Sequence, residues 1–122
     1  MKIRIKSNTV RYRLSKTEVA ALAEKGMLEE RTEFISGTLV YAIRQAKAET
    51  LSADLNQNSI TLHVPEKALQ QWANSGQVGM DFHMPLPNGN TLYLLLEKDF
   101  KCIDMDVKED QADYFDNPQK TC

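Results

Sequence analysis

Apolar positions recur at every second residue over most of this chain, and the stretches where they recur every third or fourth are short. Ile3 and Ile5 alternate with Lys2, Arg4 and Lys6. After Ser7-Asn8-Thr9 the alternation resumes, with Val10, Tyr12 and Leu14 on one face and Arg11 and Arg13 on the other. Period two with β-branched and aromatic residues predicts strands, half exposed, with one basic face. The connection fits a hairpin, and a single long strand bulged at Ser7-Asn8 fits equally. Ser15-Lys16-Thr17-Glu18 is a capping box, since Ser15 and Glu18 can satisfy each other's amides. Val19, Leu22 and Ala23 then follow helical spacing and Gly26 supplies a left-handed stop, which predicts a helix over 16–25.

From Leu28 the pattern returns to strand through Ile35, turns at Ser36-Gly37 and runs on from Thr38 to Gln45. Leu39 to Ile43 is apolar on both faces and belongs inside a sheet. Leu51, Ala53 and Leu55, then Ile60, Leu62 and Val64, form a second hairpin about Asn56-Gln57-Asn58. Pro65 opens a second helix, where its missing amide hydrogen costs nothing, and Ala68, Leu69, Trp72 and Ala73 are its apolar stripe. Trp72 is the expected core anchor, and Asn74-Ser75-Gly76 ends the helix.

Val78 to Met84 alternates again, and Pro87-Asn88-Gly89-Asn90 predicts a tight hairpin turn. That turn leads into Leu92–Leu96, the longest uncharged apolar run, expected as a central strand buried on both faces. Its expected neighbours are Val78–Met84 and the N-terminal strand, which would set Glu97 and Asp99 against Arg4, Lys6 and Arg11. Beyond Ile103 apolar residues are too sparse for an element, although Tyr114 and Phe115 can tuck back onto the core. Neither an internal repeat nor a linker is evident, so the expectation is one domain over 1–122 with 104–122 as an acidic tail. The fold class is α+β: a curved, mostly antiparallel sheet of about seven or eight strands, open or partly closed into a barrel, with two short helices.

Composition changes this picture little. With 122 residues, 42% hydrophobic and 26% charged, the chain is an ordinary globular one that buries roughly two thirds of its unfolded surface. No run approaches the roughly 20 apolar residues of a membrane helix. The alternating charges of Met1-Lys2-Ile3-Arg4-Ile5-Lys6 do not suit a signal peptide, so a cytoplasmic location is expected. Cys102 and Cys122 are then expected as free thiols.

Charge changes it more. The net charge of -2 hides opposite ends: residues 1–16 hold Lys2, Arg4, Lys6, Arg11, Arg13 and Lys16 with no acid, while residues 97–116 are strongly acidic. If the first two strands pair, Lys2, Arg4, Lys6, Arg11 and Arg13 crowd one face, with cross-strand neighbours about 5 Å apart. Repulsion demands a negative partner: solvent counterions, the protein's own acids or an anionic ligand. Glu29, Glu30, Glu33, Glu97 and Asp99 sit at strand positions that can supply the second. An acidic isoelectric point and the lack of aromatic residues among these arginines count against nucleic acid.

Other chemistry is thin. The acidic tail departs from an EF-hand loop at Lys108, Glu109 and Phe115. His63, His83, Cys102 and Cys122 lack metal-ligand spacing, so no metal and no cofactor is expected. Cys102 lies near Lys98 and Lys101, which would lower a thiol pKa, yet a buried structural role suits its apolar surroundings. Glu97 and Asp99 share strand parity, the spacing for two carboxylates to share a metal, acid/base work or two cations. No phosphate loop, nucleophile elbow or dinucleotide fingerprint is present.

Lys2-Ile3-Arg4-Ile5-Lys6, Pro65 with Trp72, Val78-Gly79, and Glu97-Lys98-Asp99-Phe100-Lys101-Cys102 followed by Glu109-Asp110, Asp113 and Asn117-Pro118 resemble a family of small uncharacterised bacterial proteins. That resemblance spans nearly the whole chain and implies a domain of unknown function, with no activity attached. Strands alternating acids and bases also look like the tunnel of CYTH-type triphosphate hydrolases. Such enzymes open with E-x-E-x-K where this chain has Lys2-Ile3-Arg4-Ile5-Lys6, a departure that removes two metal ligands. The expected function is therefore a non-catalytic binding or accessory module acting through the basic face or acidic tail, toward an anionic ligand or a protein. The alternative is a metal-dependent phosphate-ester or triphosphate hydrolase with a charged barrel interior.

Overall fold

The computed structural model describes residues 1–100. Eight strands and two helices follow in the order β1 (Lys2–Lys6), β2 (Thr9–Leu14), α1 (Lys16–Lys25), β3 (Met27–Phe34), β4 (Gly37–Ala46), β5 (Ser52–Asn56), β6 (Ser59–Pro65), α2 (Glu66–Ala73), β7 (Gly79–Pro85) and β8 (Thr91–Lys98). Each element is where the apolar periodicity puts it. The capping box forms as expected, with Glu18 N donating to Ser15 Oγ and Ser15 N to the Glu18 carboxylate, and Gly26 ends α1 at φ 73°. The first connection is a hairpin turning at Ser7-Asn8, with Ser7 at φ 49°. The last hairpin turn is longer than the Asn-Gly signal suggests, running from Leu86 to Asn90 with Gly89 at φ 88°.

The sheet is where expectation and structure part. The strands form two four-stranded sheets, not one, and neither closes into a barrel. The first runs β1-β2-β8-β7 and the second β3-β4-β6-β5. Within each, two antiparallel hairpins meet through one parallel pair, β2 with β8 and β4 with β6. The central strand β8 is thus flanked by β7, as expected, and by β2; β1 lies at the edge. Nor is β8 buried on both faces: Leu94 and Leu96 are fully buried, while Tyr93, Leu95 and Glu97 on the other face are only half-buried. An apolar run marks a strand but does not say whether a second layer covers it.

A repeat invisible as residue identity is plain in the topology. The order hairpin, helix, hairpin occurs twice, β1-β2-α1-β3-β4 and β5-β6-α2-β7-β8. Lys2–Lys6 and Ser52–Asn56 stand fifty positions apart, and so do the turn residues Ser7 and Gln57, both at positive φ. The registers coincide as well. Ile3, Tyr12, Leu96 and Met80 form one transverse row in the first sheet; Ala53, Leu62, Ile43 and Leu28 form the matching row in the second. Each half gives one hairpin to each sheet, and its helix carries the chain between them.

One core joins the parts. Val10, Tyr12, Leu14, Leu94 and Leu96 from the first sheet pack with Ile43, Leu62 and Val64 from the second and with Leu22, Leu69 and Trp72 from the helices. Trp72 is fully buried, and its indole N–H donates to Val78 O at 3.1 Å. Truncating such a side chain to alanine costs about 3–5 kcal/mol. No polar or charged residue is buried among those described. The charged barrel interior of a CYTH-like tunnel is therefore not this architecture: the space between the sheets is filled by apolar side chains. No described helix is long and apolar enough to cross a membrane.

A candidate ligand face on the first sheet

Strand parity settles what the outer face of the first sheet carries. Opposite the core row above, the register sets Lys2, Arg13, Glu97 and Gly79 side by side across the four strands. The next outward row is Arg4, Arg11, Leu95 and Asp81, and the third is Lys6, Thr9, Tyr93 and His83. All five expected cations, Lys2, Arg4, Lys6, Arg11 and Arg13, thus share one face of the β1-β2 ribbon. Arg4 and Arg11 are direct cross-strand partners. A shallow hollow of about 160 Å³ lies among Lys2, Ile3, Arg4, Arg11 and Arg13.

Counter-charge is partial and comes from the expected pair, though on different partners. Arg13 Nε donates to Glu97 Oε1 at 2.7 Å, and Arg11 Nε lies 3.7 Å from the same oxygen. Lys2 Nζ donates to Asp99 Oδ2 at 2.8 Å, and this contact holds the Asp99 carboxyl below its ordinary range. Arg4 and Lys6 have no carboxylate within ion-pairing distance among the described residues. Glu29, Glu30 and Glu33 do not face this side at all, because they lie on β3 in the other sheet. Glu29 pairs there with Arg31 at 3.3 Å, and Glu30 pairs with the Met1 amino group at 2.7 Å.

The far half of the face was not read from the sequence. Tyr93 and His83 are cross-strand neighbours whose ring centroids lie 4.6 Å apart at 39°. Tyr93 donates its hydroxyl to Asp81 Oδ2 at 2.7 Å, and that bond holds the phenol above its ordinary pKa range. The parity of β7 and β8 carries the signal, since His83 and Asp81 alternate together and so do Tyr93, Leu95 and Glu97. Reading β8 as buried on both faces hid it. His63 lies on the second sheet, far in topology from His83, and no group of three or more His, Cys, Asp or Glu able to hold a metal exists among the described residues. Cys102, Cys122 and the acidic tail lie outside the described residues.

A larger hollow, about 910 Å³, opens between the two helices and the end of β8, lined by Val19, Ala20, Ala23, Ala73 and Phe100 among others. Three of its polar side chains are engaged: Lys98 donates to Ser75 O at 2.8 Å, Gln70 donates to Ala23 O at 3.0 Å and Asp99 holds Lys2. Among the described residues Lys16 stands alone at its rim and no histidine or cysteine is in its lining, whereas five cations gather on the sheet face.

Fold and face together define a class: a two-sheet α+β protein of interlocked hairpin-helix-hairpin halves, with one sheet face basic on one side and aromatic on the other. The chain belongs to a family of unknown function, DUF7009, whose model matches residues 1–119. Neither a curated protein nor a solved structure matches it.

Proposed function

We propose that this protein is a non-catalytic cytoplasmic binding module that takes an anionic ligand on the outer face of its first sheet. The observation that carries the reading is internal to the molecule. At the positions of the second sheet matching Lys2, Arg4, Lys6, Arg11 and Arg13 stand Ser52, Asp54, Asn56, Thr61 and His63. The same backbone thus forms with no lysine or arginine in those places, so the fold does not require the cluster. Two of the five cations are without acid partners among the described residues, and a repulsive cluster of this kind gains from an anion laid over it.

The test is titration calorimetry with inorganic tripolyphosphate at low salt. Binding without turnover is expected, together with a rise in melting temperature, because a ligand bound only to the native state stabilises it by mass action. The double variant R4A/R11A, at exposed or half-exposed positions, should keep its fold and lose most of the heat. Equal binding by that variant would sink the assignment, and steady hydrolysis of the ligand would replace a binding module with an enzyme.

A further inference from the structure

We propose that the anion held by this face is the backbone of a single-stranded nucleic acid, whose bases rest on Tyr93 and His83. The inference depends on the anion-binding reading and adds the ligand class to it. The face divides by strand. The β1-β2 side presents cations, and Lys2, Arg4 and Lys6 follow one another at about 6.8 Å along β1, the two-residue step of a strand. An extended sugar–phosphate backbone can match that step. The β8-β7 side presents two rings.

Three details make the aromatic side suited to bases rather than to more phosphate. Tyr93 is one strand from β2 and two from β1, so about 5–10 Å separates the cationic strands from the ring-bearing one, the reach of a nucleotide from phosphate to base. The bond from Tyr93 to Asp81 fixes the ring before any ligand arrives, so little rotamer freedom remains to be lost. Asp81 and Glu97 put negative charge on this side and between the two, which repels phosphates there and confines the backbone to β1-β2.

The second sheet again serves as a control. Its residues matching Tyr93 and His83 are Val40 and Arg31, so the fold asks for no ring at either place. The ligand must be single-stranded because base faces are hidden in a duplex, while a sheet can stack unpaired ones. The sequence counted the absence of aromatics among the arginines against nucleic acid; the parallel β2-β8 pairing places them beside the arginines.

Fluorescence anisotropy with fluorescein-labelled octamers of uridylate and of thymidylate, beside inorganic polyphosphate as competitor, tests this on the full chain. The octamers should bind at low salt, with affinity falling steeply as salt rises. Tyr93→Val, which installs the second sheet's own residue, should weaken octamer binding about fivefold or more, as loss of one stacked base does. His83→Ala should act in the same direction, and neither change should alter competition by polyphosphate. Arg4→Ala should weaken both ligands. Polyphosphate bound with no octamer binding, octamer affinity indifferent to both ring variants, or a duplex bound as tightly as a single strand would each overturn the inference and leave the anion site standing. Failure of both ligands to bind overturns the two together.

Discussion

Tyr12 and Leu62 hold the same place in the two halves of the molecule. Tyr12 lies between Ile3 and Leu96 across its sheet, Leu62 lies between Ala53 and Ile43, and both side chains are fully buried. One half buries a phenol where the other buries an aliphatic chain. The Tyr12 hydroxyl has no hydrogen-bond partner among the described residues, and burial pushes its pKa up to about 12.

Tyr12→Phe should therefore match or exceed the native stability, by up to about 1 kcal/mol, because it removes an unsatisfied buried hydroxyl and keeps the ring. Tyr12→Ala should cost about 3–5 kcal/mol. The phenol also gives a pH signature. Its folded pKa lies above the unfolded value of 10, so the native state favours the neutral form; that stability is complete below pH 10 and is lost as pH rises toward 12. Denaturant melts should show this alkaline loss in the native protein and a smaller one in Tyr12→Phe, where the part owed to the Met1 amine and to Tyr93 remains. A less stable Tyr12→Phe at neutral pH would mean that the hydroxyl has a partner.

At the start of the chain the Met1 amino group sits between Glu18 and Glu30, forming an ion pair with each. Burial opposes the charge of the amine, but the two carboxylates outweigh it and raise the pKa above 8.0. Burial likewise opposes the charge of Glu18, yet the amine and Ser15 outweigh it and lower that carboxyl below 4.5. The raised amine contributes stability below pH 8 that is lost as pH climbs through its folded value. The lowered Glu18 contributes above pH 4.5, lost as pH falls through its own. Glu18→Gln should cost about 1 kcal/mol at neutral pH through the weakened cap and pair, and should flatten both limbs of a stability–pH curve. An unchanged curve would remove Glu18 from both.

Most elements were legible in the sequence because each rests on local pattern. The capping box at Ser15, Gly26 at positive φ and the buried stripe of Leu69 and Trp72 needed no distant partner. Sheet membership was legible only in part: the β7-β8 hairpin and an N-terminal neighbour for β8 were expected, but not the division into two sheets through the parallel pairings of Tyr12 with Leu96 and of Ile43 with Leu62. The duplication escaped because matched positions keep polarity without identity: Tyr12 answers to Leu62, and Leu22 to Trp72. Lys2, Arg4, Lys6, Arg11 and Arg13 were found from alternation alone, and so were the counter-charges Glu97 and Asp99, whereas Glu29, Glu30 and Glu33 have the right periodicity on the wrong sheet. The cations' neighbours Tyr93 and His83 arrive through the β2-β8 pairing, which nothing in local pattern announces.

Gly79 is the residue across from Glu97, and the first sheet is tight there. A Cβ would stand 2.6 Å from Leu96 O and 3.0 Å from Glu97 Cβ, whereas the matching position of the second sheet accepts Met27 opposite Arg44. The neighbour is backbone, which cannot swing aside. Gly79→Ala should cost about 1–3 kcal/mol by overpacking, read as a lower denaturation midpoint with unchanged slope. Wild-type stability in that variant would show that β7 shifts freely against β8.

Glu97 is the acid that mutes the basic face, bonded to Arg13 and close to Arg11, with its side chain only 19% exposed. Glu97→Gln keeps an acceptor oxygen for Arg13 and removes the charge. The released field of two guanidiniums should raise affinity for tripolyphosphate at low salt by about fivefold, the worth of a partly screened pair near 1 kcal/mol. Molar salt should remove most of the gain, because the screening length then falls to about 3 Å. Asp99→Asn should do less, since it frees only Lys2, whose side chain is 74% exposed. Calorimetry of the two variants at low and high salt decides between two roles for Glu97. A gain at low salt marks it as a competitor for the ligand, whereas a loss marks it as the group that aims Arg11 and Arg13 at the ligand.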